Sequence, residues 1–270
     1  MLTSAVFYAG LRSAGITALA RRTRQGGVIL CYHNVVPQCD LGGDPGLHLA
    51  SSRFRQQLLL LSRCYTVVPL REFSSRLRAG RSTRGVAAIT FDDGYDGVFE
   101  TAWPILRGLG LPATVFIPTG PQAQTDGFWW DQPVVTGRGA STHRQASWPC
   151  IARAAAEGCE IGVHSSTHRV LTQLSDDELH SETQGSRERL AELIGIDARC
   201  FSYPYGLFDA RVRAAVYRAG YETAVTLDFG LNGNTADPLA LRRMNVPASI
   251  TAPAFEAWLA GLRPRVGETI

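Results

Sequence analysis

From Val28 onward the chain alternates short apolar runs with stretches of helical periodicity. Strand-like runs are read at residues 28–32, 65–68, 86–91, 113–117, 160–163, 199–203, 222–226 and 241–246. Most are rich in Val, Ile, Phe or Tyr and bounded by Gly or Pro, the composition of a short buried strand. Between them lie helical patterns. Residues 53–63 set Phe54, Leu58 and Leu61 on one face, and residues 252–262 supply a last helix. Residues 175–194 open with Ser175 and Glu178 in capping-box spacing and stop at Gly195. Residues 209–219 end likewise at Gly220. Strand and helix alternating this often predict parallel strands with helices packed outside. Seven or eight such units predict an α/β fold, a distorted (β/α) barrel in a single domain over residues 27–270.

The preceding segment, 1–26, is fairly apolar up to Ala20 but broken by Arg12, and its Arg21, Arg22 and Arg24 follow rather than precede the apolar stretch. A secretion signal carries its charge first. The order fits a helix lying on the protein or on an anionic membrane surface, with a cytoplasmic location or one at the inner face of the membrane; the cell envelope is the alternative.

Composition narrows the chemistry. All 27 basic residues are arginine. Without lysine there is no Schiff base and no phosphate loop ending in Gly-Lys-Ser/Thr. A net charge of +3 is too small to argue for nucleic acid, and no run approaches the roughly 18 apolar residues of a membrane span. The six cysteines form no C-x-x-C pair, and Cys31, Cys159 and Cys200 sit in or beside apolar runs as small hydrophobes. Nothing in the sequence specifies an oligomeric state.

Three motifs follow strand-like runs: Thr90-Phe91-Asp92-Asp93-Gly94, His164-Ser165-Ser166-Thr167-His168, and Ser202-Tyr203-Pro204-Tyr205-Gly206. Each alone reads as an ordinary turn or loop. Together, at strand ends that a barrel gathers on one face, they form a constellation. Asp93, His164 and His168 supply the carboxylate and two imidazoles of a three-ligand divalent metal site. A metal held there would acidify a water and polarise a carbonyl, while Asp92 takes the proton. His33 ends the first strand and would emerge on the same face, where an imidazole can protonate a leaving nitrogen. Trp129 and Trp130, in the long irregular stretch 120–147, are candidates for one wall of a sugar site. Arg242 and Arg243 close the last strand, so that one could enter the barrel mouth.

These motifs resemble those of the polysaccharide deacetylases over roughly residues 27–262. T-F-D-D-G and H-[ST]-x-x-H are both complete. The resemblance implies that Asp92 is the general base, that Asp93, His164 and His168 bind zinc or a similar metal, and that the Tyr205 amide stabilises an oxyanion. It also implies a carbohydrate substrate, with Tyr203 and Pro204 among the contacts. Many members carry Arg-x-Pro-Tyr, whose arginine holds the base aspartate; here Ser202 occupies that position. A C-terminal Leu-x-His is also missing, since no histidine follows His180. The segment around Tyr32-His33, with Tyr-Pro-Tyr-Gly, resembles instead the poly-N-acetylglucosamine deacetylase subgroup, which makes His33 the expected general acid. The implied reaction is removal of N-acetyl groups from a glucosamine-containing saccharide. An O-acetyl ester, a formyl or acetyl amide on a lipid-linked or small aminosugar, and non-catalytic sugar binding are the alternatives.

Overall fold

The computed structural model describes residues 4–37, 46–120, 128 and 144–262. Trp129 and Trp130 lie outside the described residues. The described residues form ten strands: β1 (Val28–Tyr32), β2 (Asn34–Val36), β3 (His48–Ala50), β4 (Thr66–Val67), β5 (Val86–Phe91), β6 (Thr114–Ile117), β7 (Glu160–Val163), β8 (Cys200–Ser202), β9 (Thr223–Val225) and β10 (Met244–Asn245). The described helices are α1 (Ser4–Ser13), α2 (Ile16–Thr23), α3 (Ser51–Ser62), α4 (Leu70–Arg78), α5 (Trp103–Gly108), α6 (Trp148–Ala156), α7 (Asp176–His180), α8 (Ser186–Ile194), α9 (Ala210–Arg218) and α10 (Ala252–Leu259).

Eight strands form one parallel sheet, ordered β10-β1-β5-β6-β7-β8-β9 with β4 paired to the start of β5. The sheet curls until residue 241 bridges β9 while β10 pairs with β1, so the run 241–246 closes the barrel. This is the distorted (β/α) barrel expected. The pair β2–β3 stands outside it as a separate two-stranded sheet. The apolar pattern does not predict it, because three-residue strands carry too little periodicity.

Side chains alternate between two apolar layers, as strand geometry requires. Val28, Leu30, Ala87, Ile89, Val115, Val163 and Phe201 face the helices. Ile29, Ala88, Phe116, Cys200, Val225 and Leu241 fill the lower lumen, together with Leu70, Phe73 and Leu77 of α4. Gly162 makes room for the Phe116 ring: a Cβ there would sit 2.5 Å from its edge.

Residues 175–194 differ from the single helix expected. Ser175 and Glu178 do form the capping box, but α7 and α8 are separated by a wide π-helical turn, Ser181–Gly185. Leu179, Glu182 and Leu190 all remain buried around it. The first segment folds as α1 and α2, and α1 packs on α10 with Tyr8 fully buried beside Trp258. Among the described residues, no helix is long and apolar enough to cross a membrane.

Candidate active site

The site grows out of the lumen alternation. Counting by twos from lumen residues, Ile29 leads to Cys31 and His33, Ala88 to Thr90 and Asp92, Cys200 to Ser202, and Leu241 to Arg243. Gly162, under Phe116, leads likewise to His164. The lower lumen is mainly apolar, its few polar groups satisfied by the Thr114–Glu160 and Thr223–Ser74 hydrogen bonds, and the upper lumen, at the C-terminal ends of the strands, carries the cluster of charged and imidazole groups. Asp93 departs from this parity. Its φ of 68° is left-handed, and Gly94 follows at 69°, so the chain turns sharply and the two neighbouring carboxylates serve different partners. Ser165, His168 and Tyr205 also have positive φ, between 57° and 59°. The four described non-glycine residues in this conformation all belong to the three motifs, where strain is characteristically held.

Asp93 meets the two histidines. Its Oδ1 lies 3.6 Å from His164 Nε2 and 3.4 Å from His168 Nε2, and one donor atom from each residue lies within 4.8 Å of the other two. His164 Nδ1 is 2.8 Å from the Ser202 carbonyl. A carbonyl can only accept, so Nδ1 carries the hydrogen and Nε2 turns its lone pair toward Asp93. Burial pushes the His164 imidazole below its ordinary range, with Asp92 opposing; burial and then His164 push His168 further down. Two neutral imidazoles, one with its tautomer set by a backbone carbonyl, and one carboxylate fit a divalent metal. These three residues would hold it.

Asp92, 3 % exposed, turns toward Arg243, with its Oδ2 still 3.9 Å from His164 Nε2. Arg243 Nη1 and Nη2 donate to its two oxygens at 2.8 and 2.6 Å. Ser202 Oγ donates to Oδ2 at 3.2 Å, and the Cys31 thiol lies 3.6 Å from the same oxygen. Arg243 is fully buried, and its five N–H groups are all matched: Nε by the Thr226 carbonyl, the rest by Thr90 Oγ1, Ser202 Oγ and Asp92. Burial alone would raise the Asp92 carboxyl. The Arg243 charge, His164 and the hydrogen bonds from Arg243 outweigh it and hold Asp92 well below the usual carboxylate range.

The arginine absent from the third motif is thus supplied from residue 243, and Ser202 links it to Asp92 rather than leaving a gap. Arg242, its neighbour, is exposed. In the sequence Cys31 reads as a small hydrophobe; its place beside Asp92 follows from its being the second position after Ile29 on the lumen side. His33 completes the cluster, with Cys31, His33 and Asp92 each offering an atom within 4.8 Å of the others. Burial pushes its imidazole down to about 4, Asp92 opposing.

The third motif divides. Tyr205 is 38 % exposed, with its ring centroid 4.7 Å from that of His168. Tyr203 and Pro204 are buried. The Tyr203 hydroxyl donates to the Leu239 carbonyl at 2.9 Å and its ring stacks on Phe208. Tyr203 and Pro204, expected among the sugar contacts, are thus buried, with the Tyr203 hydroxyl committed to a backbone carbonyl. His48 is tied to Asn34 at 3.1 Å.

Comparison with known proteins agrees with this geometry. The family model described as polysaccharide deacetylase matches residues 79–224. The Bacillus subtilis protein named "Putative polysaccharide deacetylase YxkH" is 24% identical over 175 residues, which are 65% of this chain and 56% of that protein. The chain therefore spans little more than half of that relative's length. Two solved structures share the fold. The Streptococcus pyogenes deacetylase PplD, in complex with acetate, has a TM-score of 0.70 at 20% identity, covering 90% of this chain and 100% of that one. IcaB from Ammonifex degensii has a TM-score of 0.70 at 23% identity, covering 88% and 98%. With the family match spanning more than half of its residues, over the strands that carry Asp92, Asp93, His164, His168 and Tyr205, the chain belongs to the polysaccharide deacetylase family.

Proposed function

We propose that this protein removes N-acetyl groups from an N-acetylglucosamine-containing poly- or oligosaccharide, using a divalent metal, zinc, held by Asp93, His164 and His168. The observation that carries the reading is the division of labour between adjacent carboxylates. Asp93 turns to two neutral imidazoles, while Asp92 is kept anionic by a fully matched arginine. When bound, the metal supplies Lewis acidity toward the acetyl oxygen and acidifies the attacking water.

The chain's own residues do the rest. Asp92 receives the water's proton, and its pairing with Arg243 keeps it deprotonated and aimed. The same pairing makes Asp92 a reluctant holder of that proton. His33, in the same cluster and with the higher proton affinity of the two, takes it next and delivers it to the departing nitrogen. Tyr205 offers its amide to the developing oxyanion and its exposed ring to the saccharide. In the free protein His33 is neutral, so the proton it donates is the one lifted from water in the same turnover.

That neutrality also favours a second reading, hydrolysis of an O-acetyl ester, whose alkoxide leaving group needs less help from an acid. The intact charged set argues against a merely sugar-binding role. The deciding experiment is mass spectrometry of acetyl loss from β-1,4- and β-1,6-linked N-acetylglucosamine oligomers, with metal-stripped and zinc-reloaded protein. Zinc-dependent loss supports the reading. No loss from protein shown to hold zinc would overturn it in favour of an ester or a lipid-linked aminosugar.

A further inference from the structure

The loop bearing the two histidines is strained, and one buried residue outside the motifs ties it down. Ser165 and His168 both hold left-handed φ, at 58° and 57°, a conformation strained for a residue with a side chain. Two of the loop's carbonyls are taken by the segment that follows β6: Thr119 N donates to the Ser165 carbonyl and Gly120 N to that of Ser166, at 3.2 and 2.8 Å. Gly120 is constrained there, since a Cβ would lie 2.6 Å from the Ser166 oxygen. His168 N donates to Ser165 Oγ at 3.0 Å.

Two further backbone donors and one hydroxyl converge on Glu182. Ser166 N and Thr167 N donate to Glu182 Oε2 at 2.8 and 2.9 Å, and the Thr167 hydroxyl donates to Oε1. Glu182 is 4 % exposed and projects from the π-helical turn between α7 and α8. Among the described residues no arginine forms an ion pair with it. A carboxylate buried without a cation is expensive unless hydrogen bonds satisfy it, and here every bond to its side chain comes from the histidine loop. Wide turns of this kind recur where a helix must present one residue to a functional site.

We infer that Glu182 is a positioning residue for the metal: it clamps the left-handed loop so that His164 and His168 stand ready as a pair before the ion arrives. The inference rests on reading Asp93, His164 and His168 as a metal site. Partners one step removed from a metal typically change its affinity 10- to 100-fold when lost. The test is zinc affinity of metal-stripped protein, measured by competition with a chromogenic chelator, for wild type, Glu182→Gln and Thr167→Val. Melting curves of the metal-free proteins are recorded in parallel.

The expected result is zinc binding about 10- to 100-fold weaker for Glu182→Gln, with turnover recovering as zinc is raised. Thr167→Val, which deletes one of the three bonds, should show a smaller loss in the same direction. Folded Glu182→Gln binding zinc within twofold of wild type would overturn the inference. If that variant does not fold, unchanged affinity in Thr167→Val overturns it instead. A wild type that takes up no zinc would overturn the metal-site reading itself, a different failure from equal binding by all three.

Discussion

Arg243 and Asp92, 151 residues apart in the chain, meet side-on in the barrel lumen through two hydrogen bonds of 2.8 and 2.6 Å. Removing one partner leaves the other as an uncompensated buried charge. Arg243→Met should therefore lower stability by about 3–5 kcal/mol and turnover by about 100-fold or more, as expected for loss of an aligned base. Arg243→Lys keeps the charge but not the planar fork, and should recover stability better than turnover. Chemical denaturation and initial rates on zinc-loaded protein check both. Near-normal turnover in Arg243→Met would show that Ser202 and Cys31 suffice to hold Asp92.

The metal ligands are separable from Asp92 by substitution. Asp93→Asn suits the site's left-handed backbone, which asparagine tolerates, yet it removes the charge. Asp93→Asn and His168→Ala should each lose bound zinc, read by elemental analysis, and activity with it. Asp92→Asn should retain zinc and lose turnover by about 100-fold or more. Equal zinc loss in all three would mean that the two carboxylates do not have separate roles.

Acid should destabilise the metal-free protein in a window set by its buried histidines and Asp92. His33 falls from 6.5 unfolded to about 4 folded. Between these values the unfolded chain binds a proton that the folded chain refuses, so stability drops as pH falls from 6.5 to 4. From that shift His33 contributes at most about 3 kcal/mol, its partial opening to solvent reducing the full value. His164 and His168 shift in the same direction. Asp92 adds stability that is present above its unfolded value of 3.8 and is lost only in stronger acid. Melting temperatures of wild type and His33→Ala at pH 7.5, 5.5 and 4.5 test this. The variant should show the flatter dependence, and parallel curves would exclude a neutral buried His33.

Gly162→Ala probes the floor of the site. The added carbon would lie 2.5 Å from the Phe116 ring and 3.0 Å from the Cys200 carbonyl. Phe116 in turn lies under the Arg243 guanidinium, 5.8 Å from ring centroid to Cζ. Overpacking of this kind costs about 1–3 kcal/mol, and the shift should pass through Phe116 to Arg243 and lower turnover as well. A stable, fully active Gly162→Ala would show that the lumen can repack without moving the arginine.

Much of this molecule was legible in its residues. Apolar runs of four to six residues located β1, β5, β6 and β7 to within a residue, because a buried parallel strand needs continuous apolar side chains. The motifs placed Asp92, Asp93, His164 and His168 at strand ends, since local order along the chain dictates which residues leave each strand. The short β2–β3 pair and the wide turn after α7 had no such signature. One depends on pairing between distant segments, the other on keeping both flanking helices against the core.

What the sequence by itself determined was the chemistry available: two adjacent carboxylates, a histidine pair four residues apart, and His33 on the first strand. Only the tertiary structure decided how they are used. It chose Arg243 over Arg242 by closing the barrel between β9 and β10, gave Ser202 a part in holding Asp92, and withdrew Tyr203 into the core. The physical reason is that strand parity sets which face a side chain takes, while curvature and closure of the sheet set which distant side chains that face brings together.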